Sequence, residues 1–176
     1  MSRSSNSISC GIGILFFIGA LEFISCVTGF ATTVEKMDVN RLSKIAESVV
    51  EARVTEVYCQ WNSEHTQIYT YVTLDVSEVY AGKGSVGRTQ IRLLGGAVGD
   101  TAMIIPGSPR FAIGEHVVLF LHDDPTLYIP IVGLTQGKLN FSVDLITGQE
   151  VVGNKYVGSF NKQALESAVI EARERK

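Results

Sequence analysis

Residues 82–87, Gly82-Lys83-Gly84-Ser85-Val86-Gly87, match the dinucleotide pattern G-x-G-x-x-G letter for letter and come after a strand-like segment. With Arg88 and Thr89 they also spell G-x-x-x-x-G-R-T, one substitution from a phosphate-binding P-loop. Either pattern holds phosphate only where the loop opens a helix whose N-terminal amides face the anion. The next residues are Thr89-Gln90-Ile91-Arg92-Leu93, an alternating β-forming run, with Gly95-Gly96 close behind. No helix can start there, so the segment reads as a hairpin turn.

The three histidines invite a metal or a general base. On a strand, His116, Val118, Phe120 and His122 share one face. Six residues at about 3.3 Å each put the two histidines roughly 20 Å apart, too far to share one ion. His65 lies in the polar turn Trp61-Asn62-Ser63-Glu64-His65. The cluster His122-Asp123-Asp124 reads as a solvated turn, with weak metal binding as its alternative. There is no G-x-S-x-G elbow and no local context that would activate Cys59. A histidine meeting a serine only in space remains open.

Two features suit binding. Tyr69 and Tyr71 lie on the polar face of the longest predicted strand, with Tyr58 and Trp61 nearby, so the four could form an aromatic shelf. The other reading of these β-formers is simple cover by a helix or loop. Residues 95–114 carry five glycines and two prolines, and long Gly-rich loops in compact domains are often functional. Within that loop Met103-Ile104-Ile105 needs cover, which packing over one end of the domain would supply. Asn140-Phe141-Ser142 is a glycosylation sequon only in a eukaryotic source, and it falls inside a predicted strand.

These residues must be positioned mostly by strands. After a leader over 32–39, Asp38 or Asn40 caps a short helix carrying Leu42, Ile45 and Ala46. From Ser48 the period becomes two: Val50, Ala52 and Val54 face one way and Glu51, Arg53 and Thr55 the other. Ile68, Thr70, Val72, Leu74 and Val76 then alternate with Tyr69, Tyr71, Thr73, Asp75 and Ser77. Ile91 and Leu93 start another strand. Val117-Val118-Leu119-Phe120-Leu121 is apolar throughout, the mark of a strand covered on both sides. Asp123-Asp124-Pro125 turns the chain into the run 127–132. Leu139, Phe141 and Val143 alternate, and Thr147-Gly148-Gln149 turns back into Val151-Val152. A helix over 161–175 closes the chain, with Leu165, Ala168, Val169 and Ala172 in one stripe. About seven short strands between terminal helices predict a mainly β fold, a small closed antiparallel barrel or a sandwich.

Of the 176 residues, 45% are apolar and 19% charged, and the net charge is −3. That sign gives no electrostatic reason to expect nucleic acid. The mean hydropathy of +0.21 is raised by the N-terminus, where 16 of the 24 residues 8–31 are apolar. Arg3 and a polar stretch precede an apolar run over 8–21, too short for a membrane span of about 20 residues and suited to a secretory signal. Glu22 interrupts the run, and Gly29-Phe30-Ala31 supplies small residues for a cut after Ala31. Residues 1–31 are therefore expected to be a signal peptide and 32–176 a single domain. Two alternatives stand beside it: a lipoprotein box, Phe23-Ile24-Ser25-Cys26, with Cys26 lipidated, and an uncleaved anchor. All three place the domain outside the cytoplasm. Cleavage after Ala31 leaves Cys59 as the sole cysteine, so no internal disulfide can form.

Ala46 to Val54 (AESVVEARV) and Tyr71 to Lys83 (YVTLDVSEVYAGK) look like the netrin-like modules of secreted proteins, a group that includes the tissue inhibitors of metalloproteinases. The segment GEHVVLFL over 114–121 is similar to their later core strand. The resemblance covers roughly residues 45–145 and implies an OB-type five-stranded barrel. Those inhibitors grip zinc with an N-terminal cysteine and carry several disulfides, and neither feature exists here, so protease inhibition does not carry over. The same pattern looks like that of small secreted bacterial proteins, for which no activity is implied.

The expected function is a non-catalytic extracytoplasmic module binding a protein or glycan partner through Tyr58, Trp61, Tyr69 and Tyr71 or through the Gly-rich loop. The alternative is a cell-envelope hydrolase centred on His65, His116 or His122. Self-association through the aromatic face and terminal helix is a third reading. No cofactor, metal or nucleic acid is called for, and membrane contact is expected only through the N-terminal segment, if uncleaved or lipidated.

Overall fold

The computed structural model of the chain describes residues 35–175. The expected signal segment, with Cys26 and the cut after Ala31, lies outside the described residues. Helix α1 (Val39–Ile45) is capped by Asp38, whose side chain accepts from the Arg41 amide at 2.8 Å. It buries Leu42 completely, while Ile45 stays exposed. Helix α2 (Lys162–Glu174) is capped by Asn161 and buries Leu165, Val169 and Ala172, most of the stripe the sequence predicts.

Between the helices run β1 (Ser48–Trp61), β2 (Ile68–Gly82), β3 (Gly87–Leu94), β4 (Gly96–Val98), β5 (Thr101–Met103), β6 (His116–Leu121), β7 (Lys138–Val143), β8 (Glu150–Asn154) and β9 (Gly158–Phe160). Seven of them form one antiparallel sheet in the order β3-β2-β1-β6-β7-β8-β9, and β4 with β5 makes a separate small hairpin. Gly82 to Gly87 is the hairpin turn between β2 and β3, with no helix after the glycine pattern.

The β1–β2 ladder has three register irregularities, at Val49/Val50, Glu51/Ala52 and Val54/Glu56. Extra residues of this kind bend a strand and increase its twist. The first half of β1 also pairs with β6, from Ser48↔Leu121 to Arg53↔His116, whereas its second half pairs with β2 alone. The β1–β2 hairpin, flanked by β3 from Tyr69 to Val76, therefore continues beyond the ladder of β6 to β9.

Both faces of the sheet centre are buried. On one, Val49, Tyr80, Val118, Phe120, Leu139 and Val152 pack under Leu42 of α1 and Leu165 and Val169 of α2. On the other, Val50, Ala52, Val54, Val72, Leu74, Leu93, Val117 and Leu119 pack together. Among the described residues no helix contributes to that second core; the curl of the sheet buries it, with Phe111, Ile129 and Ile131 added from loops. Strand β6 supplies alternate residues to each core, as its unbroken apolar run predicts.

The mainly β class, the antiparallel sheet and the two terminal helices match the sequence reading. The closed barrel does not appear: among the described residues no strand pairing joins β3 to β9, so the ladder does not close. The run 127–132 forms no strand but makes one bridge, Leu121↔Ile131, and one bond to β3, Leu94 N–H to Tyr128 O at 2.7 Å; Pro130 removes one of its own donors. The Gly-rich loop 95–114 contains the β4–β5 hairpin, and β9 has no counterpart among the predicted strands.

Candidate functional site

The second half of the β1–β2 hairpin carries the aromatic residues. Tyr58 and Tyr71 are cross-strand partners, and their rings stack at 5.0 Å between centroids and 13° between planes. Tyr58 is exposed and Tyr71 half-buried. Tyr69 shares their face but is only 8% exposed. The Arg92 guanidinium, opposite Tyr71 on β3, lies 4.6 Å above the Tyr69 ring, and the Tyr69 hydroxyl donates to Gln67 Oε1 at 2.9 Å. Tyr69 therefore supports the surface while Tyr58, Tyr71 and Arg92 present it. Along the same face the surface turns polar. Thr73 donates to Glu56 at 3.2 Å, Gln90 donates to Thr73 at 3.3 Å, and Arg88 lies 3.5 Å from Glu56.

Trp61 does not join this surface. It pairs with Ile68, three residues beyond Tyr58, and an odd step along a pleated strand points to the opposite face. Its ring stacks on His65 at 6.1 Å in the hairpin turn. Asn62 builds that turn by accepting from the amides of Thr66 and Gln67 at 2.8 and 3.0 Å. The expected four-residue shelf is thus a stacked pair with a buried third ring, and Trp61 lies apart.

The other chemically capable groups sit in separate surroundings. His116 Nε2 is 2.9 Å from Glu51 Oε1, and its ring stacks on Phe141 at 3.8 Å. Glu51, expected on a solvent face, is 5% exposed. Its Oε2 accepts from the Tyr80 hydroxyl at 2.5 Å and from Lys162 Nζ at 2.8 Å, and Lys162 also reaches Glu78 at 2.8 Å. Burial alone would raise the Glu51 pKa, but hydrogen bonds from Lys162, Tyr80 and His116 outweigh it and hold the carboxyl below its ordinary range. Burial, then Glu51, pushes the Tyr80 hydroxyl well above its ordinary value, and the bonds to Glu51 and Glu78 do the same for Lys162. Both carboxylate oxygens of Glu51 are thereby engaged, Oε1 with His116 on β6 and Oε2 with Tyr80 on β2 and Lys162 on α2.

His122, Asp123 and Asp124 line a cleft of about 530 Å³ beside Lys83, Gln90 and Arg92. The Asp123 carboxylate ties this segment to the start of β1, accepting from Ser48 Oγ at 3.0 Å, and Asp124 serves its own turn by accepting from Thr126, whose hydroxyl and amide lower the Asp124 pKa. Among the described residues no three His, Cys, Asp or Glu side chains are arranged to hold a metal ion.

Cys59 lies in a third place, a cleft of about 590 Å³ between the second half of β1 and the loop 95–114. Val57, Leu93, Met103, Ile105 and Phe111 line it, and Arg110 is the one charged residue in its wall. Cys59 Sγ is 3.4 Å from Thr70 Oγ1, which donates to Gly95 O at 2.7 Å. Gly96, at φ +137°, passes so close that a Cβ there would fall 2.6 Å from the sulfur. The far end of the loop is held by buried Lys138, whose Nζ bonds Arg110 O and Glu115 Oε2, each at 2.6 Å.

Sequence reasoning does not find the Glu51 cluster or the Arg92–Tyr69 contact, because the partners are brought together only by the ladder and by α2. One signal is present in the sequence: a lysine in the first turn of α2 opposes the helix dipole and needs a local anion. Comparison of the chain with protein-family models, curated proteins and solved structures finds no match.

Proposed function

We infer that the chain is a non-catalytic binding module of the extracytoplasmic space, taking a protein or glycan partner on the outer face of β1, β2 and β3. The observation that carries this is the exposed Tyr58–Tyr71 stack beside Arg92. Aromatic faces hold sugar rings and partner side chains by stacking, and a neighbouring guanidinium adds directional hydrogen bonds. Tyr69 under Arg92 fixes this surface from below, which reduces the ordering cost of binding. The extracytoplasmic setting rests on the N-terminal apolar run and its small-residue cut.

In this reading the curl around Val72, Leu74, Val117 and Leu119 is the OB-type barrel of the netrin-like resemblance, with loops in place of its closing strand contacts. The hydrolase alternative has less support. His116 is taken up by Glu51 and Phe141, His65 stacks on Trp61, Asp123 is bonded to Ser48 of β1, and Asp124 is occupied in its turn.

The test is calorimetric titration with neutral and amino-sugar oligomers, paired with crosslinking of the protein in an extracytoplasmic extract. Tyr58→Ala and Tyr71→Ala should each weaken whichever interaction is found by about tenfold, near the energy of one stacking contact. Binding indifferent to both substitutions overturns the assignment of this face, and turnover of an ester or glycoside overturns the non-catalytic reading. Mass spectrometry of the mature N-terminus tests the setting: a start at Thr32 or a lipidated Cys26 supports it.

A further inference from the structure

The hairpin joining β7 to β8 ends in an unusual surface. Leu145 is 100% exposed and Ile146 95%, and Val143 at the base of the turn is 61% exposed. The turn beneath them is tightly built. Asp144 Oδ1 accepts from the Ile146 and Thr147 amides at 2.9 and 2.8 Å, while the backbones of Asp144 and Gln149 close the loop at 2.8 Å. The same amide bonds hold the Asp144 carboxyl below its ordinary range, so it carries charge at neutral pH. Two bare aliphatic side chains are thus held on a rigid knuckle whose only charges, Asp144 and Glu150, are negative.

The chain also carries the complementary surface. The Cys59 cleft is about 590 Å³, within the range that accepts a compact apolar group. Its wall is apolar, Ile104 stands 76% exposed at its edge, and its single charge, Arg110, is positive. We propose that the Leu145–Ile146 knuckle of one copy docks in the Cys59 cleft of a second copy. Leu145 and Ile146 would meet Met103, Ile105 and Phe111, and Asp144 and Glu150 would face Arg110. A membrane is the less suitable occupant of the knuckle, because its two carboxylates would be driven toward anionic headgroups. Knuckle and cleft are different surfaces of one chain, so the contact is heterologous and each copy offers a free donor and a free acceptor. Apolar anchors seated in pockets dominate such interfaces.

The native thiol in the cleft provides the first test. In the full chain with Cys10 and Cys26 changed to Ser, Ile146→Cys should form an intermolecular disulfide with Cys59 under mild oxidant. Adding Cys59→Ser should abolish it. The second test is sedimentation. Leu145→Asp with Ile146→Asp removes the knuckle, and Met103→Asp blocks the cleft. Each variant alone should self-associate about 30-fold more weakly than the parent, the loss expected for one anchoring contact. Mixed together, they should recover a one-to-one pair, since one contributes an intact cleft and the other an intact knuckle. A parent that stays monomeric at high concentration overturns the proposal. So does a crosslink that persists without Cys59, which would place knuckle against knuckle. Binding of the parent to phosphatidylcholine vesicles, lost in the knuckle variant and with no self-association, also overturns it.

Discussion

Glu51 Oε2 lies 2.8 Å from Lys162 Nζ, so one carboxylate in the first half of β1 receives the first turn of α2. The carboxylate is buried and the ammonium half-exposed. That asymmetry decides what each partner contributes to stability.

Glu51→Ala removes the acceptor shared by Tyr80, His116 and Lys162 and leaves the buried Tyr80 hydroxyl without a partner. The expected loss is about 3 kcal/mol, in the range for breaking a buried charged network. Lys162→Ala should cost about 1 kcal/mol, since water replaces much of what is lost at a half-exposed ammonium. Urea unfolding of both singles and the double should give a strongly non-additive cycle. Simple additivity would mean that the two residues do not interact energetically.

The same cluster contributes to both limbs of the pH dependence of stability. The folded Glu51 pKa is lowered, so the unfolded chain takes up that proton first as pH falls. Its contribution is complete above the ordinary carboxylate value of 4.5 and is lost as pH drops through the folded value. Tyr80 is raised above its ordinary 10, so its contribution is complete below pH 10 and is lost as pH climbs beyond it. Glu51→Gln should therefore flatten the acid limb of a stability–pH profile below pH 4.5, and Tyr80→Phe the alkaline limb above pH 10. Unchanged limbs in both variants would assign the pH dependence to other groups.

Tyr69 and Tyr58 should separate folding from binding. Tyr69→Ala removes a buried ring, its hydroxyl bond to Gln67 and the seat of Arg92, and is expected to cost about 3 kcal/mol. Tyr58→Ala exposes no core and should lower stability by less than about 1 kcal/mol. Calorimetric titration beside thermal unfolding reads both effects on the same samples.

Gly96→Ala should destabilise by about 2 kcal/mol, because the new methyl meets Cys59 Sγ and Thr70 Oγ1 at a φ that L-residues rarely adopt. Cys59→Ala in the same chain should recover part of that loss by removing the sulfur, while the backbone strain remains. No recovery would show that the strain, and not the contact, dominates.

Legibility in the sequence tracks the reach of each interaction. The alternation from Ile68 to Val76, the double-sided run 117–121 and the Asp38 and Asn161 caps depend on neighbours a few residues apart, and the structure has β2, β6, α1 and α2 there. The glycine pattern at 82–87 reads as a turn because β-branched residues come after it, and it joins β2 to β3. Strand parity places Glu51 on a polar face because parity says nothing of Lys162, which arrives from the opposite end of the domain. The four-aromatic shelf fails at Trp61 for a local reason: it stands three residues from Tyr58, on the other side of the pleat. A closed barrel is the expectation from strand count and turns, but neither determines whether the last edge meets the first.

The pairing of β1 with β6 also sets an order of events in folding. The β1–β2–β3 meander uses contacts close along the chain, and such contacts form early. Neither core is complete without Val117 to Leu121, which feed both sides of the sheet from a point far down the sequence. Until that strand is seated, the meander has no cover for its apolar faces, so Leu119→Ala and Phe120→Ala are expected to slow refolding, read by stopped-flow fluorescence, if closure of β1 on β6 limits the rate.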